Sequence, residues 1–169
     1  MLVADELQGI QVGGLGAVFT YLAIALARLG NNVEVLYFGR TPAAVERALR
    51  IGAPTHQEIL LWAGWRLRAR FTVESGGPWS IAHADAERVV NEAREAADLA
   101  DMALGQLAAA HVDWKTGHAP EFRADAAATL ASVERIRRGQ AELVTRARVS
   151  SDWAFAYELL AGWSLDLAA

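Results

Sequence analysis

The segment Val12-Gly13-Gly14-Leu15-Gly16 decides how residues 1–40 are interpreted. It lies between a short apolar run, 1–4, and an apolar stretch, 17–29, that consists mostly of good helix formers. The β-branched and aromatic residues of 33–38 then predict a second strand. This order of strand, glycine loop, helix and strand is typical of a βαβ unit, in which the two strands are parallel and adjacent.

The glycine loop is the candidate binding site of this part of the chain. Gly13, Gly14, Leu15 and Gly16 follow the first predicted strand, and ligands of open α/β sheets bind at the carboxyl ends of their strands. Glycines let backbone N–H groups approach a ligand, and the N-terminus of the next helix favours an anion. The loop therefore suits a phosphate, a carboxylate or a sugar hydroxyl. The alternative is that these glycines only form a tight turn.

Residues 1–40 resemble the amino-terminal opening of GT-B glycosyltransferases, particularly the glycogen-synthase-like and related retaining families. The resemblance is carried by Val3-Ala4-Asp5-Glu6, the glycine loop, the helix that ends at Leu29-Gly30, and Asn32 to Leu36. It implies a Rossmann-like half in which Gly13, Gly14 and Gly16 bind a nucleotide-sugar or a glycan acceptor. Gln11-Val12 replaces the Lys-Thr of glycogen synthases, so that family's cation on the phosphate side is missing.

Residues 41–82 predict a short helix and then a β-hairpin. Thr41-Pro42 indicates the start of a helix over 43–51, with proline as its first residue. Arginines alternate with apolar residues over 66–73, which predicts a half-buried strand, and 79–81 predicts the returning arm. Three arginines share one face of that strand and either bind an anion or are simply solvated: Arg66, Arg68 and Arg70.

From residue 84 onward the apolar residues follow a helical period. One helix is predicted from 84 to about 110 and a second over 127–148, joined as a helical hairpin by a break within 113–121. A third helix, 153–167, is apolar on most sides and needs a surface to pack against. The segment Val112 to Arg123 is similar to the turn of WXG100-type helical hairpins, which are associated with type VII secretion. It has Trp-x-x-Gly where that family has Trp-x-Gly.

The same turn contains the one cluster of metal-ligating residue types that stands out in the sequence. His111, Asp113 and His118 lie close together along the chain, but their separations match no pair on one helical face. Solvated side chains are the more common outcome for such residues. We therefore expect no metal and no cofactor, and no catalytic residue is identified.

Composition excludes several classes of function. The chain has 16 Lys+Arg against 20 Asp+Glu, so it lacks the basic field of a nucleic-acid binder. It has no cysteine, which excludes disulfides and thiolate zinc sites. The uncharged stretch 7–27 is long enough to span a bilayer, but glycines and glutamines leave only 17–27 as a plausible helix. We expect no membrane span and a cytoplasmic location.

Together these patterns predict an α/β fold, with an N-terminal Rossmann-like βαβ unit followed by a β-hairpin and a helical hairpin. The predicted parts are 1–82 and 83–169, either as two domains or as one compact domain. The functional hypothesis is a partial or divergent GT-B glycosyltransferase domain that is not active alone, because that family holds its donor with a second Rossmann-like domain. The alternatives are a helical-hairpin interaction protein with a structural glycine turn and a ligand-binding module without catalysis. In each case we expect a homo-oligomer or a missing second domain.

Overall fold

A computed structural model describes most of the chain, and the ranges that it describes are 2–4, 28–30, 35–37, 42–55 and 58–168. The chain divides into two compact units, Met1–Gly64 and Trp65–Ala169. The predicted boundary between residues 82 and 83 lies inside a helix of the second unit.

The first unit contains two strands of three residues each. Strand β1 (Leu2–Ala4) pairs in parallel with β2 (Val35–Tyr37). Between them, Arg28 is helical and Gly30 has a φ of +81°, the left-handed conformation predicted for it as a helix C-cap. The rest of the predicted helix 17–29 lies outside the described residues.

Helix α1 (Pro42–Thr55) follows β2 and begins at proline, as predicted. Proline suits this position because its fixed φ is helical and the first N–H groups of a helix have no partner within it. Val45 and Leu49, one turn apart, are buried. A Cβ at Gly64 would lie 2.7 Å from a methyl carbon of Leu49, so a larger residue here would require the Leu49 side chain to move.

The prediction of an α/β fold with a Rossmann-like unit is wrong. Seven helices follow one another along the described part of the chain after β2, with no strand between them, whereas a Rossmann-like half alternates strands with helices. The two short strands of the first unit are the whole of the sheet that the described residues form. The resemblance to GT-B glycosyltransferases is therefore not supported by the fold.

The predicted β-hairpin over 66–81 is also wrong, because both of its arms are helical. Helix α2 (Glu58–Glu74) contains the first arm, and α3 (Trp79–Glu95) contains the second. Burial in α2 follows a helical period, since Trp62, Trp65 and Ala69 are buried. Between the two helices Gly76 has a φ of +75°, and a Cβ at Gly77 would lie 2.8 Å from the carbonyl oxygen of Thr72.

The helix predicted over 84–110 is divided into two by a tight turn. Helix α3 ends at Glu95, and α4 (Leu99–Thr116) begins after Asp98. Ala97 has a φ of +57°, and the amide of Asp98 donates to the carbonyl of Ala93, which together form a Schellman motif. The Asp98 carboxylate then accepts hydrogen bonds from the amides of Ala100 and Asp101 and caps α4.

A helical hairpin is present, as predicted, and consists of α4 and α5 (Ala119–Arg138), which pack against each other. The second helix predicted, over 127–148, is wrong in its bounds, because α5 ends at Arg138. Gly117 ends α4 with a φ of +75°, and the amide of His118 donates to the carbonyl of Asp113. This is a second Schellman motif, here with the glycine that usually occupies its left-handed position. The turn is much shorter than the break predicted over 113–121.

Helix α4 is the central helix of the second unit. One side of it, at Leu107 and Ala110, packs against Phe122 of α5 and against the C-terminal helix. Another side, at Ala109 and Val112, packs against alanines of α2 and α3. Residues around its whole circumference are buried, which explains why its apolar residues are not confined to one stripe.

Two further helices complete the second unit, α6 (Leu143–Asp152) and α7 (Ala154–Asp166). Helix α7 buries Ala156, Leu160 and Trp163, at spacings that place them on one face. None of the residues of α6 is buried. Within the ranges that the structure describes, every helix is too short or too polar to cross a membrane.

Candidate functional site

Three ionisable side chains from successive helices meet in the second unit. We call them the polar cluster: His83 of α3, Asp113 of α4 and Asp125 of α5. Each offers one nitrogen or oxygen ligand atom, and these atoms all lie within 4.8 Å of one another. Such a group forms only when the three helices have packed, because its members are far apart along the chain.

The histidine stands between the two carboxylates. His83 Nε2 is 3.6 Å from Asp113 Oδ1 and 3.5 Å from Asp125 Oδ2. Both distances exceed the range of about 2.7–3.2 Å for N–H···O hydrogen bonds. The side chains of His83 and Asp125 are 20% and 18% exposed, whereas that of Asp113 is fully buried. The cluster therefore reaches solvent at His83 and Asp125 and is closed at Asp113.

Asp113 is held from one side only. The indole N–H of Trp79 donates to Asp113 Oδ1 at 2.7 Å. The other carboxylate oxygen, Oδ2, is buried and has no hydrogen-bond partner in the described part of the chain. An unpartnered buried carboxylate oxygen costs free energy, since it has lost its water.

Burial and a neighbouring carboxylate perturb Asp125. Burial raises the pKa of Asp125 to about 6, and the adjacent Asp113 carboxylate acts in the same direction, while His83 opposes them. Near neutral pH the cluster thus concentrates negative charge in a partly buried place. This arrangement attracts a proton or a cation.

Aromatic contacts fix the position of Trp79. Its ring stacks on the ring of His118, with centroids 4.3 Å apart and planes 11° apart. His118 Nδ1 is in turn 2.8 Å from Thr116 Oγ1. The turn between α4 and α5 therefore supports the tryptophan that orients Asp113.

The structure separates the residues predicted as a metal site. Asp113 belongs to the polar cluster, but His111 contacts the rings of Trp114 and Trp163 instead. Residues two apart on a helix point in different directions, so His111 and Asp113 do not share a site. His118 stacks on Trp79 and is absent from the cluster. Sequence reasoning missed His83 and Asp125, because only helix packing brings them to Asp113.

The arginine face predicted for residues 66–73 is not a free anion site. Arg68 forms two hydrogen bonds with Asp85, at 2.7 and 2.6 Å. Arg66 pairs with Asp101, and Arg70 pairs with Glu74 one turn further along the helix. Each guanidinium group thus has a carboxylate partner.

The predicted ligand loop lies outside the described residues. Nothing in the structure tests a role for Gly13, Gly14, Leu15 or Gly16, so nucleotide-sugar or acceptor binding at this loop stays a prediction. In comparisons with known proteins, no family model matches the chain, and no significant match appears among curated proteins or solved structures. The resemblances to GT-B glycosyltransferases and to WXG100-type hairpins therefore have no support beyond the residues that suggested them.

The C-terminal helices carry an exposed apolar surface, which we call the outer surface of α6 and α7. At the start of α6, Leu143 and Val144 are 81% and 80% exposed. On α7, four apolar side chains are between 41% and 73% exposed: Phe155, Tyr157, Leu159 and Leu165. Phe155 also stacks on Trp153, with centroids 5.8 Å apart. Exposed apolar side chains that form a contiguous patch mark interaction surfaces in soluble proteins.

Proposed function

We propose that this chain is a helical interaction protein that forms a two-fold symmetric homodimer through the outer surface of α6 and α7. The observation that carries the proposal is that α7 is apolar on most sides but buries only one face. A helix that is apolar around most of its circumference is normally buried on more than one face. Its exposed side chains therefore favour a covering surface that the described residues of one copy do not provide.

The charges of the two helices favour a second copy as that covering surface. Helix α6 carries Arg146 and Arg148 with one acid, Asp152, whereas α7 carries Glu158 and Asp166 with no base. A two-fold dimer uses the same patch on both copies. If the axis passes between the two helices, α6 of one copy lies on α7 of the other, and opposite charges meet at the rim.

Sedimentation velocity across a dilution series tests the dimer. The wild-type chain is expected to show twice the mass of the 18.2 kDa chain and to dissociate on dilution. Leu159→Glu places a charge in the apolar surface and is expected to shift the equilibrium to monomer, because the unpaired charge would be desolvated in the interface. Ala131→Glu, at an exposed position of α5, is the matched control and is expected to leave the dimer intact.

Circular dichroism checks that the helix content of each variant is unchanged. We expect Leu159→Glu to fold normally, because the Leu159 side chain is 41% exposed. A wild-type chain that stays monomeric at its highest soluble concentration would contradict the dimer and leave a separate partner domain as the covering surface. A cytoplasmic location is also part of this proposal, and cell fractionation with the tagged chain tests it.

A further inference from the structure

The polar cluster has the composition of a site for a divalent transition-metal ion. It offers one imidazole nitrogen and two carboxylate groups, a donor set that suits Zn²⁺ and Mn²⁺. The imidazole disfavours Mg²⁺ and Ca²⁺, which prefer oxygen ligands alone. The donors come from three different helices, so the packed helices hold them in place.

The distances within the cluster fit ligands of one ion better than they fit hydrogen bonds. Two ligands about 2.1 Å from a tetrahedral ion stand about 3.4 Å apart. His83 Nε2 lies 3.6 Å from Asp113 Oδ1 and 3.5 Å from Asp125 Oδ2. An ion between the three groups thus requires only small movements of the side chains.

Asp113 provides an independent observation that points to a ligand. Its side chain is fully buried beside His83, yet Oδ2 has no hydrogen-bond partner among the residues that the structure describes. Buried carboxylates in folded proteins are paired or coordinate a metal. A cation at the cluster would compensate both carboxylates at once.

The surroundings of the cluster are those of a metal site. The indole N–H of Trp79 holds Asp113 Oδ1 at 2.7 Å, and a hydrogen bond of this kind orients a ligating carboxylate. An ion can enter from the side of His83 and Asp125, whose side chains are partly exposed. Three protein ligands leave at least one coordination position for water or another small ligand.

We propose that His83, Asp113 and Asp125 bind one divalent transition-metal ion, with Trp79 as a positioning residue. This site is separate from the outer surface of α6 and α7, and it does not depend on the dimer.

Calorimetric titration of the full chain with zinc chloride, after removal of metals by a chelator, tests the proposal. We expect one Zn²⁺ per chain, a higher melting temperature in its presence, and weaker binding of Mn²⁺, as the general order of affinities requires. Asp125→Asn and His83→Gln are each expected to weaken Zn²⁺ binding by more than about 100-fold, since each removes a ligand rather than an outer contact. Glu121→Gln, an exposed acid on the same helix as Asp125, is the matched control and is expected to bind as the wild type does.

Trp79→Phe separates a positioning role from a purely structural one. It removes the indole N–H but keeps the ring, and we expect Zn²⁺ affinity to fall by about 10- to 100-fold with the stoichiometry unchanged. Thermal unfolding without metal identifies any variant that does not fold. If one of His83→Gln and Asp125→Asn does not fold, Zn²⁺ binding by the other tests the site. The proposal would be overturned if the folded wild-type chain bound neither Zn²⁺ nor Mn²⁺. It would also be overturned if His83→Gln and Asp125→Asn bound Zn²⁺ with the affinity of the wild type.

Discussion

Helices α3–α5 and helices α6–α7 distribute their side chains in opposite ways. The first group buries charge, since Asp85 and Asp113 lie in its interior and Gln106 bonds to Ser132 there. The second group exposes apolar residues, and α6 has no buried residue of its own. Burying a polar group costs free energy unless the group has a hydrogen-bond or ionic partner. An apolar patch that is exposed in a single chain marks a surface for interaction with another molecule.

This contrast teaches where each kind of function belongs in the molecule. The interior of α3–α5 is suited to holding a small charged ligand, because its polar groups are fixed by packing. The outer surface of α6 and α7 is suited to a macromolecular contact, because its apolar residues are accessible.

Phe122→Ala should have the largest effect on stability. Phe122 is 2% exposed and packs between α4 and α7, so its truncation removes buried area and leaves a cavity. We expect a loss of about 3–5 kcal/mol in the free energy of unfolding, measured by urea denaturation. Phe155→Ala, on the outer surface and 43% exposed, is the matched control, with an expected loss of about 0.5 kcal/mol or less in the dissociated chain. Equal losses of unfolding free energy in Phe122→Ala and Phe155→Ala would show that the interior and the outer surface do not differ in packing.

Gly105→Ala should have the next largest effect. A Cβ at this position of α4 would lie 3.0 Å from Val90 Cγ2 and 3.1 Å from the Val90 backbone nitrogen, so α3 would have to move. Overpacking of this kind costs about 1–3 kcal/mol in the free energy of unfolding. Gly162→Ala on α7 meets nothing within 4 Å and gains helix propensity, so it is expected to be neutral or stabilising in thermal unfolding. A neutral Gly105→Ala would show that α3 and α4 are less closely packed than described.

The pH dependence of stability should show a smaller effect, which arises from the polar cluster. Because the pKa of Asp125 is raised to about 6, the folded state binds a proton more tightly than the unfolded state does. The stability from this group is fully present below about pH 4 and is lost as the pH rises through about 6. In the metal-free chain, the melting temperature of the wild type should therefore fall relative to that of Asp125→Asn between about pH 4 and 7.

Contributions from titrating groups that do not contact Asp125 are the same in both chains and cancel in this comparison. Parallel melting curves for the two chains across that range would show that Asp125 is not perturbed by burial and by Asp113.

The parts of the fold that the sequence predicted are those with strong local determinants. Pro42 begins α1 because its fixed φ is helical, and the break predicted within 113–121 contains Gly117, which ends α4 in the left-handed conformation. The turn at Ala97 was missed because alanine rarely adopts a positive φ, although the cap at Asp98 was visible in the sequence. The prediction of a strand over 66–73 was wrong because arginines at alternate positions produce the two-residue period of a strand within a helix. The pairing of Arg70 with Glu74 four residues later, typical of helices, was the contrary evidence.

The polar cluster was only partly predictable. The sequence identified Asp113 as a candidate metal ligand, but it grouped Asp113 with His111 and His118, which are its neighbours along the chain. Its actual partners, His83 and Asp125, lie on the adjacent helices, and no local pattern connects them. Sites assembled by tertiary packing need the crossing positions of the helices, which composition and periodicity do not contain.

The short turns of the second unit also have a kinetic consequence. Helices α3, α4 and α5 are joined by connections of only a few residues, and each packs mainly against its neighbour along the chain. Contacts that are local in sequence require little loop closure, so domains of this type fold within microseconds to milliseconds. Helix α7 instead returns to α4 from a distant part of the chain and is held by one face. Its local opening therefore costs less than that of α3–α5, and its amide hydrogens are expected to exchange before theirs.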